Sequence, residues 1–154
     1  MGLAFVDSPI GRLTLESEDN ALISLGWIVN DLAESQPKPE PVLIDATRQL
    51  KAYFAHRLTR FELPLRPRGS GFQQRVWGAI AAIPFGHTRA YGDLARVVGS
   101  APRAVGQACG RNPIPIIIPC HRVVGAAGNL TGYSGADGVT TKQFLLRLEG
   151  VSLL

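Results

Sequence analysis

Residues 91–110 read YGDLARVVGSAPRAVGQACG. Tyr91 to Val98 predicts a short helix, which Gly99-Ser100 stops. Pro102 opens a second helix running to Gly110. Proline suits a first helical turn, where its missing N–H has no intrahelical partner to lose. Two short helices joined by a tight glycine-containing turn predict a helix-turn-helix. Many all-helical domains contain such a pair, so its weight comes from its surroundings. The second helix carries Ala104, Gly106, Ala108 and Gly110, which leave much of its surface without bulk. A glycine inside a helix costs about 1 kcal/mol relative to alanine. The pattern serves either close approach of a ligand to the backbone or tight packing on a neighbouring helix. Arg103, near the start, projects from that smooth surface.

Downstream, Asn112-Pro-Ile-Pro115 cannot continue the helix, and the chain turns extended. Ile116 to Ile118 predicts a short buried strand, stopped by Pro119, with Cys120 at its end and His121-Arg122 next. A thiol attacks only as thiolate, and with an ordinary pKa of about 8.5 it is mostly protonated at neutral pH. His121 and Arg122 are the groups to activate it. Adjacent side chains of an extended chain point to opposite faces, so His121 reaches Cys120 through a bridging water or a backbone turn. Glu149, returned by a last helix carrying Phe144, Leu145 and Leu148, is the candidate to orient the imidazole. Together these form a nucleophile–base–orienter set. A buried structural thiol is the competing reading.

Upstream, Ser70 is placed to cap a helix on which Phe72, Val76, Ile80 and Ile83 share a face, with Trp77 beside them. Arg66-Pro-Arg-Gly-Ser-Gly71 reads as a linker. Before it, Leu3–Val6, Gly11–Leu15 and Leu22–Trp27 predict an antiparallel meander, separated by turn signals at Ser8–Gly11 and Glu18–Asn20. Gln36 to Pro41 predicts a loop. Asp45 predicts the cap of a helix carrying Leu50, Tyr53 and Phe54. The expected architecture is α/β, of the α+β kind. A small N-terminal domain over residues 1–68 combines an antiparallel sheet with a helix. A mainly helical domain over residues 69–154 holds the helix-turn-helix and the cysteine.

The chain has 154 residues, 45% hydrophobic and 18% charged, a globular composition rather than a disordered one. No apolar run reaches the roughly 20 residues of a membrane span. MGLAFVDSPIG lacks the basic start and apolar stretch of a signal peptide. Val6 stands where N-myristoylation needs Ser or Thr. Two cysteines, Cys109 and Cys120, make no disulfide framework, so both read as reduced and the compartment as cytoplasmic. His56, His87 and His121 form no zinc-spaced pair with them, so no metal is expected. The net charge of +4 is unevenly spread: eight basic residues face nine acidic ones before Phe72, and eight face three from there on. A basic half points to phosphate-bearing partners, although an ordinary solvated surface gives the same count.

Pro119-Cys-His-Arg-Val123 resembles the active-site signature of the O6-alkylguanine-DNA alkyltransferases, also called methylated-DNA–protein-cysteine methyltransferases. The likeness extends, in the family's order, through Phe72–Trp77, Ile83–Gly86, Thr88–Ala95, Arg103–Gly106, Arg111–Pro115, Gly132–Gly135 and Lys142–Gly150. The N-terminal half matches loosely, through Asp7–Gly11 and Tyr53-Phe54. The resemblance implies a protein that binds duplex DNA through the minor groove and flips a damaged guanine out of the stack. It then moves the O6-alkyl group to the cysteine, once per molecule and without a cofactor. O4-alkylthymine is a second candidate substrate. A monomer is expected.

The resemblance also implies roles for single residues. Cys120, His121 and Glu149 match a cysteine–water–histidine–glutamate relay, and Asn112 a hinge between recognition helix and active-site segment. Tyr91 matches the tyrosine that helps rotate the nucleotide and hydrogen-bonds the guanine. Arg103 matches the wedge that fills the gap left by the flipped base. Ala104 and Gly106 allow close approach of the DNA backbone. The backbone at Val123 would bind the guanine amine, Tyr133 would wall the alkyl pocket, and Ser134 would approach O6. Arg111 and Lys142 complete the expected substrate and DNA contacts. Some features depart from the family pattern. The segment from Tyr91 to Arg103 is slightly short, with Pro102 for the usual alanine, which bears on the turn into the recognition helix. The loop Ser134–Val139 is slightly long, which bears on pocket size. The N-terminal cysteines with which some members bind zinc are absent. Two rivals stand beside this reading: a non-catalytic alkyl-lesion-binding protein, whose kind lacks the reactive cysteine, and a cysteine hydrolase, which has no use for a DNA-binding helix.

Overall fold

The computed structural model describes residues 1–27, 36–130, 133 and 138–153. Two compact units divide the chain, Met1–Arg68 and Gly69–Leu154. The first opens with an antiparallel meander of β1 (Gly2–Ser8), β2 (Gly11–Glu18) and β3 (Ala21–Trp27), adjacent in that order. Each strand runs further than its apolar residues alone suggest, because the ladder continues into the turns: Ser8 pairs with Gly11, and Glu18 with Ala21. Asp19 and Asn20 make the second turn at positive φ, which short polar side chains tolerate. Helix α1 (Pro41–Phe54) buries Val42, Leu43, Ala46, Leu50 and Tyr53.

That helix begins earlier than expected. Pro41 supplies a pre-set first turn. Asp45 is therefore not the cap; it lies one turn in and holds Arg48 and Gln49. The capping comes from the β2–β3 turn instead, where Asn20 Oδ1 accepts from the Val42 N–H at 2.9 Å. The preceding loop is also partly ordered by the sheet. Lys38 and Leu3 exchange backbone hydrogen bonds of 2.8 and 2.9 Å, which covers the β1 edge.

The second unit contains α2 (Gly71–Ala81), β4 (Arg89–Ala90), α3 (Tyr91–Val98), α4 (Pro102–Gly110), β5 (Val123–Val124) and α5 (Val139–Leu148). Ser70 and Gln73 form a reciprocal capping box on α2, an arrangement worth about 1 kcal/mol. Val76, Trp77 and Ile80 face the core, and Trp77 Nε1 donates to Ala108 O at 2.9 Å, joining α2 to α4. Gly99 ends α3 in the left-handed conformation at φ 70°, ψ 44°, and α4 follows: a helix-turn-helix. Strands β4 and β5 pair in parallel, Arg89 with Val123 and Ala90 with Val124.

Ile116 to Ile118 is buried, but it is not a strand. Ile118 N–H donates back to Ile114 O at 2.9 Å, and Ile116 stands at φ 74°. A β-branched residue rarely holds that conformation, at a strain of about 1–3 kcal/mol. Pro113 and Pro115 lack the N–H groups that a ladder needs, while burial of all three isoleucines favours the tight turn. On α5 the core face is carried by Thr141, Lys142, Leu145 and Leu146, not by Phe144, which is exposed.

Candidate active site

Cys120 opens a single 3₁₀ turn, Cys120–Arg122, directly after Pro119. The backbone turns where an extended chain was expected, so Cys120, His121 and Arg122 are all buried together. Asn112 fixes the approach to this turn. Its Nδ2 donates to Ile118 O at 2.8 Å, and its Oδ1 accepts from the Ile114 N–H at 3.0 Å. Because its backbone N–H also reaches Cys109 O, this one residue ties the end of α4 to the segment that carries the thiol.

Glu149, at the C-terminal end of α5, is buried and reached from several directions. Arg122 grips it with a two-point fork, Nε to Oε1 at 2.8 Å and Nη2 to Oε2 at 3.0 Å. His121 Nε2 lies 2.7 Å from Oε2. A carboxylate accepts only, so Nε2 carries the proton and donates. That choice leaves the lone pair of the neutral imidazole on Nδ1. Nδ1 is buried and has no hydrogen-bond partner among the described residues.

The electrostatics follow from burial. Desolvation pushes the Cys120 thiol above its ordinary pKa, opposed by a hydrogen bond from Asn112 and by the Lys142 charge. The net direction favours the neutral thiol. Desolvation also pulls His121 down, against the pull of Glu149 in the other direction. The net direction favours the neutral imidazole.

The other expected residues fall into two groups. Tyr133 and Lys142 stand close enough to Cys120 to feel its charge, and Tyr91 and Val123 adjoin Lys142. Lys142 is fully buried, donates from Nζ to Val123 O at 2.6 Å and stands 6.0 Å from the centre of the Tyr91 ring. Its charge acts inside the unit, on Cys120 and Cys109, rather than on a surface contact. The Val123 carbonyl already accepts this bond. Tyr133 is buried, and that burial, with the Cys120 charge, holds its phenol well above the ordinary value. A methyl group built on Gly106 would meet the Tyr91 ring at 3.9 Å, an ordinary contact.

Arg103 and Ala104 lie on α4 and Arg111 caps its end, with both arginines exposed. An open groove of about 620 Å³ runs past Ala104 and Arg111, lined also by Ser70, Phe72, Gln73 and Gln107. Among the described residues, and apart from its chain neighbours and its own helix backbone, nothing lies within 4 Å of a Cβ built on Gly110, so packing between these residues does not explain the small residue there. Ser134, and the loop through residue 137, lie outside the described residues. Among the described residues, no three His, Cys, Asp or Glu side chains gather to hold a metal ion, and no helix is long and apolar enough to cross a membrane. Sequence reasoning named Arg122 only as a nearby charge and missed Gly86, whose N–H faces Glu149 Oε1 at 3.5 Å from a positive φ of 81°. The arginine's place after the histidine was the available signal.

Comparison with known proteins agrees along the whole chain. Residues 71–151 match the model of the 6-O-methylguanine DNA methyltransferase DNA binding domain, and residues 1–67 that of its ribonuclease-like domain. A methylated-DNA–protein-cysteine methyltransferase of Methanosarcina acetivorans is 45% identical over 156 residues, covering 97% of this chain and 99% of the relative. One from Mycobacterium tuberculosis H37Rv is 49% identical over 149 residues, covering 94% and 89%. The crystal structure of Mycobacterium tuberculosis OGT in complex with DNA superposes with a TM-score of 0.86 at 46% identity, covering 97% of this chain and 92% of that one. The chain belongs to the 6-O-methylguanine DNA methyltransferase family.

Proposed function

We propose that this chain repairs DNA by moving the alkyl group of O6-alkylguanine, flipped out of a duplex, onto Cys120. The carrying observation is the buried line from Glu149 to His121, which fixes the imidazole tautomer and leaves Nδ1 as acceptor beside the cysteine turn. The Cys120 proton passes to Nδ1, through a water molecule. The thiolate attacks the alkyl carbon, the S–C bond forms, and the C–O6 bond breaks with its electrons going to the guanine. Tyr91 hydrogen-bonds the guanine as that charge develops, and a proton neutralises the restored base. Lys142, buried near the sulfur, stabilises the thiolate while it exists. A thioether has no good leaving group, so each molecule acts once.

In this reading Gly69–Leu154 is the DNA-binding and alkyltransferase domain, and Met1–Arg68 is a separate N-terminal domain. Arg103 enters the stack as the base leaves it, the small residues of α4 face the DNA backbone, and Arg111 contacts phosphate. Asn112 serves as the hinge, and the Val123 backbone and Tyr133 line the base pocket with Ser134. The protein acts as a cytoplasmic monomer. Intact mass after incubation with a duplex carrying one O6-methylguanine tests the proposal. One added methyl, mapped to Cys120 and absent in C120S, is the expected result. Binding to the lesion without a mass change would make the protein a lesion binder. Repeated turnover would overturn the one-use mechanism.

A further inference from the structure

We infer that Arg122 is the positioning residue of this site: it aims the Glu149 carboxylate at His121 and offsets its charge, so that His121 rests as a neutral base. The inference deepens the proposed function and depends on it only for its kinetic readout.

The geometry is that of a clamp. The guanidinium spends Nε and Nη2 on the two oxygens of Glu149, and Nη1 on Ile83 O at 2.6 Å. Its planar group lies 5.9 Å from the centre of the Phe85 ring. The arginine is thus anchored to the turn after α2, and Glu149 to the arginine. The oxygen that meets His121 Nε2 is the same Oε2 that accepts from Nη2. A lysine supplies a point charge and cannot reproduce the planar fork.

The charge matters as much as the shape. His121 feels Glu149 and Lys142 from the α5 segment and Arg122 from its own turn. A buried carboxylate without compensation would hold the imidazole as imidazolium, which accepts no proton. Desolvation is the largest influence against that, and the charges of Arg122 and Lys142 act in the same direction.

The test follows the His121 ring by NMR titration, together with the pH profile of methyl transfer, in wild type, R122Q and R122K. Removing the charge in R122Q is expected to raise the His121 midpoint by about one unit or more. The acid limb of transfer should move up with it, roughly tenfold in rate on that limb. R122K should restore the wild-type His121 midpoint and the position of the acid limb. It should still transfer about tenfold or more slowly at every pH, because the carboxylate is no longer aimed. A folded R122Q with an unmoved midpoint and profile would overturn the inference, as would an R122K that transfers at the wild-type rate. If R122Q does not fold, R122K decides alone. A wild type that takes no methyl, combined with a raised His121 midpoint in R122Q, would sink the proposed function and leave the charge relation standing.

Discussion

In Met1–Arg68 the described ion pairs sit in water. Arg12 pairs with Asp7 at 3.0 Å, with more than half of each side chain exposed; Arg48 pairs with Asp45 and Arg68 with Glu18 at similar surface positions. In Gly69–Leu154, Arg122 and Glu149 pair with 8% and 0% of their side chains exposed, His121 joins them, and Lys142 is buried nearby. Exposed pairs contribute about 0–1 kcal/mol each. Burying an ion costs several kcal/mol, which its partner repays only in good geometry. A unit selected for stability alone would fill that volume with apolar side chains. The second unit keeps charge in its interior around the cysteine turn, where the proposed mechanism has a proton leave the thiol.

The contrast can be broken from either side. C120S removes the only proposed acceptor, so the methyl gain in intact mass should vanish; denaturant unfolding should show a loss of about 1–3 kcal/mol for the buried hydroxyl. E149Q leaves Arg122 charged, buried and without its counter-ion. It should destabilise the protein by about 3–5 kcal/mol in urea unfolding, and single-turnover assays should find transfer slowed. N112A deletes both side-chain hydrogen bonds that hold the cysteine segment, at a cost of about 1–3 kcal/mol by the same unfolding measurement.

A pH series sharpens the comparison. Burial pushes the Cys109 thiol from 9.0 up to about 12. The unfolded chain therefore gives up that proton first, and the thiol's contribution to stability is whole below pH 9.0 and is lost as pH rises toward about 12. Cys120 shifts the same way. Lys142, held below its ordinary value by burial, acts in the opposite sense. C109A should remove part of the alkaline loss, read as thermal midpoint against pH and compared with the parent. The smallest effect belongs to the first unit: R12A should change stability by under about 1 kcal/mol and leave the methyl transfer rate alone.

Much of the fold was legible because local signals agreed with tertiary needs. Gly99 between two helical segments, Ser70 with Gln73 at the start of α2, and Val76, Trp77 and Ile80 on one face each state their structure in a few residues. The failures occur where a distant partner overruled a local signal. Asp45 looked like a cap, but Asn20, far away in sequence, does that work. Phe144 looked like core, but α5 turns Leu146 and Lys142 inward. Ile116–Ile118 looked like a strand because an apolar run records burial and not backbone path.

The site divides in the same way. From sequence alone came the candidates for the proposed relay, Cys120, His121 and Glu149, together with the helix-turn-helix and the uneven charge, since these depend on chemistry and short-range pattern. Only the tertiary structure decided that burial raises the pKa of the thiol, that Nε2 rather than Nδ1 meets Glu149, that Lys142 is internal, and that Arg122 holds Glu149. Each of these depends on how much water is excluded and on which groups from remote segments share the dry volume. Desolvation and hydrogen-bond geometry are properties of that assembled interior, and no single stretch of chain carries them.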